Sequence, residues 1–445
     1  MKQEFLKLMK CPYCGSDFNS GEIYRENGGE IIDGYITCEC NKYPVLEGIL
    51  ILKVSHLNIH LINLLRDGKM KEAKEFSLDY FGERVCEINS FLSHRGVCGR
   101  ALGKLLTVLV RIRAQRLYKK YMDECLPFHR LLGEGESDIY LKNRFAAESF
   151  WSLYPFIPLL KENDERVLDL SCGTGHSSFV LSTYVKPHQL VCADYTFSRL
   201  YLTKKYFAKD ATLICLDANY SLPFKDGIFS SLLMLDAFHY IQGRTSLAKE
   251  MERVISPQGL LLLLHLHNSL NYNLAPGQPL SPTGWLNIFQ HMPVTLLPEK
   301  NIVEDFIRSN VLDLTREYSE AALNNSNAIA IIGGRDKSIL RIYQDVWSDL
   351  LRNRSNLIIN PIYTIERKVD SVTLRRKLSS DSFRKEFPFM ENYLPEECTI
   401  NGMIAESLNG RGLDTSSTEF SEQDLLCIED LMKKFVVINV PQNYC

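Results

Sequence analysis

The feature that most constrains this 445-residue chain is a short apolar run that ends in an acid and is followed at once by two glycines. The run covers residues 166–170 and contains Asp169, and the glycines are Gly173 and Gly175. This pattern predicts a buried strand, a tight turn and the start of a helix. Because glycines leave the backbone bare and a helix N-terminus presents unpaired N–H groups, we expect a ligand site at this turn.

The pattern of an apolar run that ends in an acid recurs further along the chain. Predicted strands end at Asp194, Asp217 and Asp236, and predicted helices separate them. Strands that alternate with helices over short connections predict a parallel sheet with helices on both faces. Ligands of such sheets bind at the carboxyl ends of the strands, where these acids fall. The predicted fold class is therefore α/β, with a doubly wound, Rossmann-like sheet within residues 140–335.

Two cofactor classes share this geometry. A dinucleotide fits poorly, because Asp169 would repel its pyrophosphate and Ser178 stands where Gly or Ala is preferred. S-adenosylmethionine (SAM) has no phosphate and carries an ammonium and a sulfonium. An acid at Asp169 suits SAM, so the residues favour SAM.

The same segment resembles the glycine-rich signature of class I SAM-dependent methyltransferases of the type 11 group, with Ser171 in place of the first glycine. The resemblance extends to Leu-Pro-Phe at 222–224 and to Arg-Val-Ile-Ser-Pro-Gln-Gly at 253–259, which match two further blocks of those enzymes. It implies a seven-stranded methyltransferase sheet, with SAM as the cofactor.

The resemblance also assigns cofactor-binding residues, one strand end at a time. It implies that Asp194 holds the ribose hydroxyls and that Asp217 accepts the adenine amine. The full set implied is Asp169, Ser171, Cys172, Gly173, Gly175, Asp194, Tyr195, Asp217, Ala218 and Leu235.

Methyl transfer from SAM is an in-line displacement, so the protein mostly supplies positioning and desolvation. A base helps when the acceptor is a hydroxyl or a protonated amine. His239 follows the fourth predicted strand, where this family often contacts its acceptor, and it is the candidate catalytic residue. His265 and His267 alternate with leucine on the next strand, and we expect a structural role for them.

The first 53 residues contain two cysteine pairs on either side of a predicted hairpin, whose turn is Asn-Gly-Gly at 27–29. This arrangement predicts a four-thiolate structural zinc (Zn²⁺) ribbon, because so small a piece has too little core to fold without a staple. The proposed ligands are Cys11, Cys14, Cys38 and Cys40. Two alternatives stay open: Cys38 and Cys40 could be ordinary strand residues, or His56 and His60 could compete as ligands.

The ten residues 43–52 read Tyr-Pro-Val-Leu-Glu-Gly-Ile-Leu-Ile-Leu. Together with Cys-Pro-Tyr-Cys at 11–14, this tail resembles the small zinc-ribbon proteins that activate RNA and protein methyltransferases. Similar ribbons occur fused to bacterial methyltransferases. The resemblance covers about 45 residues and implies a zinc ribbon at the front of a methyltransferase.

The remaining segments carry less legible chemistry. Residues 54–139 are predicted as a helical bridge with a basic amphipathic helix, which is either a solvated face or a contact for RNA or anionic lipid. A single helix is predicted at 140–160, and a closing hairpin from 311–318 and 328–332. Residues 336–445 are predicted as an α+β extension, with a helix at 338–353 and a hairpin turning near 369–370.

Composition narrows the classes further. A net charge of −3 excludes a strongly basic overall nucleic-acid footprint. No apolar run approaches the ~20 residues of a membrane helix, and the first ten residues lack a signal-peptide apolar segment. The 13 cysteines, an odd number, predict reduced thiols and a metal site in a cytoplasmic protein.

The leading hypothesis is a SAM-dependent methyltransferase that acts on an O, N or C nucleophile of a small-molecule or biosynthetic-intermediate acceptor. One alternative is a methyltransferase of rRNA or tRNA that grips RNA with the ribbon and the basic helix. Another is a binding protein that keeps the SAM fold without turnover. The C-terminal extension is expected to cover the acceptor site or to form a homodimer contact.

Overall fold

A computed structural model shows how these segments are arranged. It describes residues 1–53, 57–79, 96–162, 165–272, 277–352, 356–368, 371–378, 384, 390–408 and 420–445. The alternative zinc ligand His56 lies outside this described part, as does part of the predicted bridge.

Strands are numbered along the chain. They are β1 (Asn19–Asn27), β2 (Glu30–Thr37), β3 (Lys42–Leu46), β4 (Ile49–Ile51), β5 (Val167–Leu170), β6 (Leu190–Asp194), β7 (Thr212–Cys215), β8 (Phe229–Leu235), β9 (Ile255–His267), β10 (Val294–Pro298), β11 (Val311–Asp313), β12 (Ala328–Gly333), β13 (Ile342–Gln344), β14 (Leu357–Ile359), β15 (Tyr363–Arg367), β16 (Ser371–Arg376), β17 (Glu397–Asn401) and β18 (Val437–Asn439).

The α-helices follow the same convention. They are α1 (Gln3–Leu6), α2 (Leu57–Arg66), α3 (Met70–Leu78), α4 (Gly96–Met122), α5 (Phe128–Leu131), α6 (Glu136–Lys142), α7 (Glu148–Trp151), α8 (Ile157–Glu162), α9 (His176–Ser182), α10 (Phe197–Leu202), α11 (Arg244–Val254), α12 (Pro282–Leu286), α13 (Glu299–Ser309), α14 (Glu320–Asn324), α15 (Val346–Arg352), α16 (Gly402–Leu408) and α17 (Glu422–Lys433). Among these described helices, none has both the length and the apolar character that a membrane span requires.

The central sheet has the order β7-β6-β5-β8-β9-β12-β10. The first five of these strands are parallel, and β12 and β10 close the sheet in antiparallel pairing. Strands β5, β6 and β8 are buried along their whole length, which explains their continuous apolar runs. The prediction of an α/β fold with a mostly parallel sheet is confirmed. Its carboxyl edge, where ligands of such sheets bind, brings the ends of β5, β6, β7 and β8 together.

The N-terminal strands extend this sheet. Strands β1 to β4 form an antiparallel meander, and β4 pairs in parallel with β7 at Leu50–Ile214 and Ile51–Cys215. In the described residues the result is one eleven-stranded sheet. The ribbon segment therefore shares its core with the central sheet, because its apolar residues and those of β5, β6 and β7 lie in one buried cluster.

Two local predictions were wrong. Residues 140–160 form short helices separated by 3₁₀ turns, and Pro155 in one of these turns cannot donate the hydrogen bond that a continuous helix needs. The partner of β12 in the closing pair is β10, whereas β11 pairs with β13 in a separate small sheet. Strand β10 has only five residues and follows a segment rich in Asn, Pro and Gly, and the composition of that segment predicts a loop.

The C-terminal extension packs onto helices α7 and α13. The predicted helix at 338–353 begins only at Val346, and the predicted hairpin around 369–370 is formed by β15 and β16. Phe435 stacks on Trp151 with ring centroids 4.1 Å apart, and Trp347 stacks on Phe306 at 4.6 Å. These contacts make the extension part of the main core.

Candidate functional site

The turn after β5 uses its two glycines for different purposes. Both have positive φ, +59° at Gly173 and +98° at Gly175. A Cβ at Gly173 would meet no described atom within 4 Å, whereas a Cβ at Gly175 would come within 2.7 Å of Thr203 and 2.9 Å of Phe207. Gly173 therefore borders open space in which a ligand can lie, and Gly175 lets α9 pack closely.

Ser171 stands in this turn with a φ of +62°. Left-handed backbone costs a residue with a Cβ on the order of 1 kcal/mol, and glycine avoids that cost. This explains why a glycine is usual at this place in the related signature. Ser171 therefore has a strained backbone conformation that glycine would avoid, and the surrounding turn holds it in place.

Asp169, on β5, is fully buried and uses only one of its two oxygens. Its Oδ2 accepts hydrogen bonds from the hydroxyls of Ser177 and Ser178, at 2.8 and 2.6 Å. Its Oδ1 is buried and has no hydrogen-bond partner among the described residues. Burial raises the pKa of Asp169 to about 6, so the carboxylate is charged at neutral pH and can accept a cationic ligand.

Asp194, at the end of β6, ties the glycine turn to the next loop. Its Oδ2 accepts from the backbone N–H of Gly173 at 3.0 Å, and its Oδ1 accepts from that of Thr196 at 2.8 Å. Neighbouring Tyr195 is partly exposed, and the ammonium of Lys53 lies 4.5 Å from its ring centroid. The carboxylate is therefore fixed beside the turn, with lone pairs left for a further donor.

Asp217 follows β7 and is organised by its own loop. Its Oδ1 accepts from the backbone N–H and the side-chain amide of Asn219, both at 2.9 Å. Ala218 is buried beside it. The exposed ring of Tyr220, in the same loop, lies 5.5 Å from that of Tyr13 in the ribbon segment.

The other predicted cofactor residues occupy the same edge. Cys172 is buried in the glycine turn, where its N–H bonds to the carbonyl of Ala193, and Leu235 is buried at the end of β8. The sheet thus brings the predicted residues of β5, β6, β7 and β8 to one edge, while none of the described contacts shows what binds there.

A support behind the glycine turn was missed by sequence reasoning. The ring of His176 contacts the hydroxyl of Thr174 through Nδ1 at 3.1 Å and that of Tyr444 through Nε2 at 3.4 Å. Tyr444 in turn donates to the carbonyl of Lys142 at 3.1 Å. Burial holds the pKa of His176 well below its ordinary value, which fits a neutral ring that donates at one nitrogen and accepts at the other. No local signal links residue 444 to this turn.

The part of the edge that was predicted to face the acceptor contains Asp236, which follows β8. Its Oδ2 accepts from the hydroxyl of Tyr140 at 2.6 Å and from the guanidinium of Arg144 at 3.0 Å. Its Oδ1 lies 3.3 Å from Nε2 of His267. Burial opposes ionisation, but the charges of His265 and Arg144 hold the pKa of Asp236 well below its ordinary value. The group is a carboxylate at any physiological pH.

Three histidines surround this carboxylate. His239, the candidate catalytic residue, is buried with its ring centroid 4.4 Å from that of His267, and neither of its nitrogens has a hydrogen-bond partner in the described chain. Burial lowers the pKa of His239 to about 3, so its ring is neutral. His265 bonds through Nδ1 to Glu299 at 2.6 Å. Burial lowers the pKa of His265, but Glu299 and Asp236 together raise it to about 9.

The four predicted zinc ligands also come together. The sulfur atoms of Cys11, Cys14, Cys38 and Cys40 all lie within 4.8 Å of one another, with Cys11 and Cys40 at 3.7 Å. Ligands of tetrahedral zinc at ~2.3 Å would be spaced by about 3.8 Å. His60, the alternative ligand that the structure describes, is outside this cluster and contacts Phe76.

Comparison with known proteins adds to this geometry. Residues 168–263 match the sequence model of the family described as "Methyltransferase domain". This part of the chain is similar to methyltransferase domains.

Two curated relatives are demethylmenaquinone methyltransferases. That of Thermotoga maritima is 29% identical over 122 residues, which are 27% of this chain and 52% of the relative. That of Thermus thermophilus is 28% identical over 122 residues, which are 27% of this chain and 56% of the relative. The chain thus spans about half the length of the curated relatives that it matches.

Among solved structures, the YcgJ protein of Bacillus subtilis is similar to this chain with 18% identity and a TM-score of 0.28. The similarity covers 40% of this chain and 98% of that protein.

Proposed function

We propose that the protein transfers a methyl group from SAM to an O, N or C nucleophile of a small-molecule or biosynthetic-intermediate acceptor. The observation that carries the proposal is the buried, unpartnered Oδ1 of Asp169 beside the open space at Gly173. A buried carboxylate oxygen without a partner is costly, and a cationic ligand at the turn would satisfy it.

The residues at the strand ends fit SAM in one orientation. Asp169 would accept its ammonium, Asp194 its ribose hydroxyls, and Asp217 its adenine amine. Asp194 and Asp217 are already held by backbone N–H groups, so their carboxylates would lose little freedom on binding. SAM supplies a methyl group already activated by its sulfonium, and the chain's own part is to orient it and exclude water.

On the acceptor side, His239 would act as a neutral hydrogen-bonding group. Its lowered pKa makes it a weak base, and this fits a role in placing the acceptor better than a role in removing a proton from it. Asp236 is a stronger candidate for contact with a positively polarised acceptor group, since it is ionised and lies at the end of β8. Demethylmenaquinone methyltransferases, the relatives named above, act on a small molecule, and this supports an acceptor of that class.

We also propose a division of roles along the chain. Residues 1–53 would hold a structural zinc ion on the four cysteines, and residues 140–335 would carry the reaction. Residues 54–139 would cover the helical side of the sheet, and residues 336–445 would support the glycine turn through Tyr444. Replacing Cys11 and Cys40 by serine should remove zinc from the purified protein and lower its unfolding temperature.

Calorimetric titration of the full chain with SAM tests the cofactor assignment. Asp194→Ala should weaken binding by roughly 10- to 100-fold, the loss expected for hydrogen bonds to a charged group. The exposed Asp210→Ala is the matched control and should bind as the wild type does. If the wild type does not bind SAM, or Asp194→Ala binds it unchanged, the methyltransferase proposal fails.

A second experiment tests the acceptor. The protein is incubated with methyl-labelled SAM and with separate metabolite and RNA fractions of cells. Label in a small molecule supports the proposal. Label that enters only the RNA fraction would replace it by the rRNA or tRNA alternative, and binding of SAM without any transfer would favour the non-catalytic one.

A further inference from the structure

Three side chains with metal-binding atoms converge where β8 and β9 end. One ligand atom from each of Asp236, His265 and His267 lies within 4.8 Å of the other two. Their side chains are nearly buried, with 11%, 8% and 8% of their surfaces exposed. Two imidazoles and one carboxylate are a donor set typical of divalent transition metals.

The backbone is bent to bring these side chains together. Asp236 and His265 both have a φ of +55°, which residues with a Cβ rarely adopt. Opposite β12, strand β9 has one extra residue between Leu263 and Leu266, and His265 lies in this bulge. Bulges re-aim side chains and are frequent beside functional sites, as is backbone of this kind. The cluster therefore has two independent marks of a built site.

Glu299 provides the outer support that a metal-binding histidine usually has. Its two oxygens accept from the backbone N–H of His265 at 2.8 Å and contact Nδ1 of the same residue at 2.6 Å. A carboxylate on one ring nitrogen fixes the tautomer and the orientation of the ring. Since Nδ1 is held by Glu299, Nε2 is the ligand atom that His265 would offer.

The ring of His267 has a nitrogen whose hydrogen-bonding capacity is not satisfied. Its Nε2 is buried and has no hydrogen bond among the described residues, and the nearest oxygen of Asp236 lies 3.3 Å away. Buried polar nitrogens without partners are rare in folded proteins, and a bound ion is one ordinary explanation. An ion between these two atoms would satisfy both.

Two acids and one arginine surround the cluster. Asp236 and Glu299 bring two negative charges, and Arg144, at 3.0 Å from Oδ2 of Asp236, brings one positive charge. Arg144 and Tyr140 both occupy Oδ2, so Oδ1 is the oxygen that faces His267.

We propose that Asp236, His265 and His267 bind one divalent transition-metal ion, such as Zn²⁺ or Fe²⁺, at the acceptor side of the sheet. The three ligands leave coordination positions for an acceptor oxygen, and a bound ion would lower the pKa of that oxygen. The effect of the ion on the acceptor oxygen rests on the methyl transfer proposed above, whereas the binding of the ion does not. If the ion acts in this way, the acceptor is a molecule with a hydroxyl or an enol.

The test counts metal in the purified full-length protein by mass spectrometry. The wild type should hold one ion more than His267→Ala or Asp236→Asn, while Cys11→Ser with Cys40→Ser should lose the other ion and keep this one. The exposed His291→Ala is the matched control and should hold as much metal as the wild type. Equal metal in the wild type and in His267→Ala would overturn the proposal.

Cobalt spectroscopy separates the two sites by their chemistry. Protein grown with Co²⁺ should show a thiolate-to-cobalt band from the cysteines and weaker visible bands from nitrogen and oxygen ligands. His267→Gln should lose only the weaker bands. If these bands persist in the variant, the ion is held elsewhere and the assignment is wrong.

Binding of SAM, measured on the same samples, tells the two proposals apart. A variant that binds SAM as tightly as the wild type is folded, so its loss of metal reports on the ligand itself. Wild-type protein that binds SAM but holds no second ion would remove the metal site and leave the methyltransferase. Protein that holds the ion but does not bind SAM would remove the methyltransferase proposal and leave the metal site.

Discussion

We call the edge around the ends of β5, β6 and β7 the cofactor half, and the edge around the ends of β8 and β9 the acceptor half, after the roles proposed for them. The two halves fix their acids in different ways. In the cofactor half, Asp194 and Asp217 are held by backbone N–H groups and an amide in their own or the neighbouring loop. In the acceptor half, Asp236 is held by the side chains of Tyr140 and Arg144. The first half is an arrangement of the backbone, which many sequences can form, whereas the second depends on particular side chains.

The difference also concerns distance along the chain. The partners of Asp236 include residues 96 and 92 positions away, and Glu299 lies 34 positions from His265. Changes in the acceptor half should therefore affect the packing of several distant segments at once. Changes in the cofactor half should affect the turn and its ligand.

Asp236→Ala should give the largest effect on stability. It leaves the guanidinium of Arg144, with 8% of its side chain exposed, without its carboxylate. Breaking such a buried pair costs about 3–5 kcal/mol in the free energy of unfolding. Asp226, exposed over 72% of its side chain, also pairs with an arginine, Arg253, and its replacement by alanine should cost less than about 1 kcal/mol. Denaturant titration would compare the two, and equal losses would contradict the contrast.

Gly175→Ala, in the cofactor half, should give the second-largest loss of stability. Its new Cβ would meet Thr203 and Phe207 at 2.7 and 2.9 Å, and its φ of +98° suits glycine alone, so we expect a loss of about 3 kcal/mol. Gly173→Ala has open space at its Cβ and should cost only about 1 kcal/mol, while it blocks SAM. Unfolding and SAM titrations of both variants separate packing from binding. The opposite ranking would mean that the two glycines have been assigned the wrong roles.

The affinity for SAM should fall in acid. Asp169 has a pKa raised to about 6, so it takes up a proton below that value and loses the charge that would hold the ammonium. Between pH 7 and pH 5 we expect a loss of about tenfold, since protonation must be reversed before binding. Calorimetry over this range, with Asp169→Asn as the control that should bind weakly and without this pH dependence, would measure it. A wild-type affinity that stays constant across the range would exclude Asp169 from the ammonium site.

Tyr444→Phe should have a smaller effect, of about 1 kcal/mol, because it removes one hydroxyl from the support behind the glycine turn. The KM for SAM should rise a few-fold while kcat stays unchanged, since the ring keeps its packing. Tyr272 is 76% exposed, and its replacement by Phe is the matched control. A change in kcat alone would place Tyr444 in the reaction itself.

Ser171→Gly should give the smallest effect and the opposite sign. Glycine relieves the left-handed backbone at φ +62°, and the free energy of unfolding should rise by up to about 1 kcal/mol. Ser171→Ala keeps the strain and should show no gain. If alanine stabilises the protein as much as glycine does, the serine hydroxyl and not the backbone conformation lowers the stability.

The contrast between local contacts in the cofactor half and distant contacts in the acceptor half explains what could be predicted from the sequence. The strand that contains Asp169, the glycine turn and the cysteine pairs are local patterns, and the structure forms them as predicted or brings them together. The pairing of β10 with β12 could not be predicted, because β10 is only five residues long and directly follows a segment rich in Asn, Pro and Gly, whose composition predicts a loop.

The acceptor half was harder for the same reason. His265 and His267 were predicted to be structural because they alternate with leucine, and only the bulge in β9 shows that they meet Asp236. The contact of Tyr444 with His176 crosses 268 positions, and nothing near either residue announces it. Local spacing contains no information about such contacts.

The pairing of β4 with β7 has a consequence for aggregation. Without it, β7 would be an open edge of a sheet whose strands are buried and apolar, which is a template for pairing between molecules. The N-terminal meander moves the edge outward to β1, whose residues are mostly exposed and include Glu22, Arg25 and Glu26. Charged side chains on an edge discourage such pairing. The four cysteines join the segment before β1 to the connection between β2 and β3. By stabilising this meander, they would also protect the protein from aggregation through the edge of its sheet.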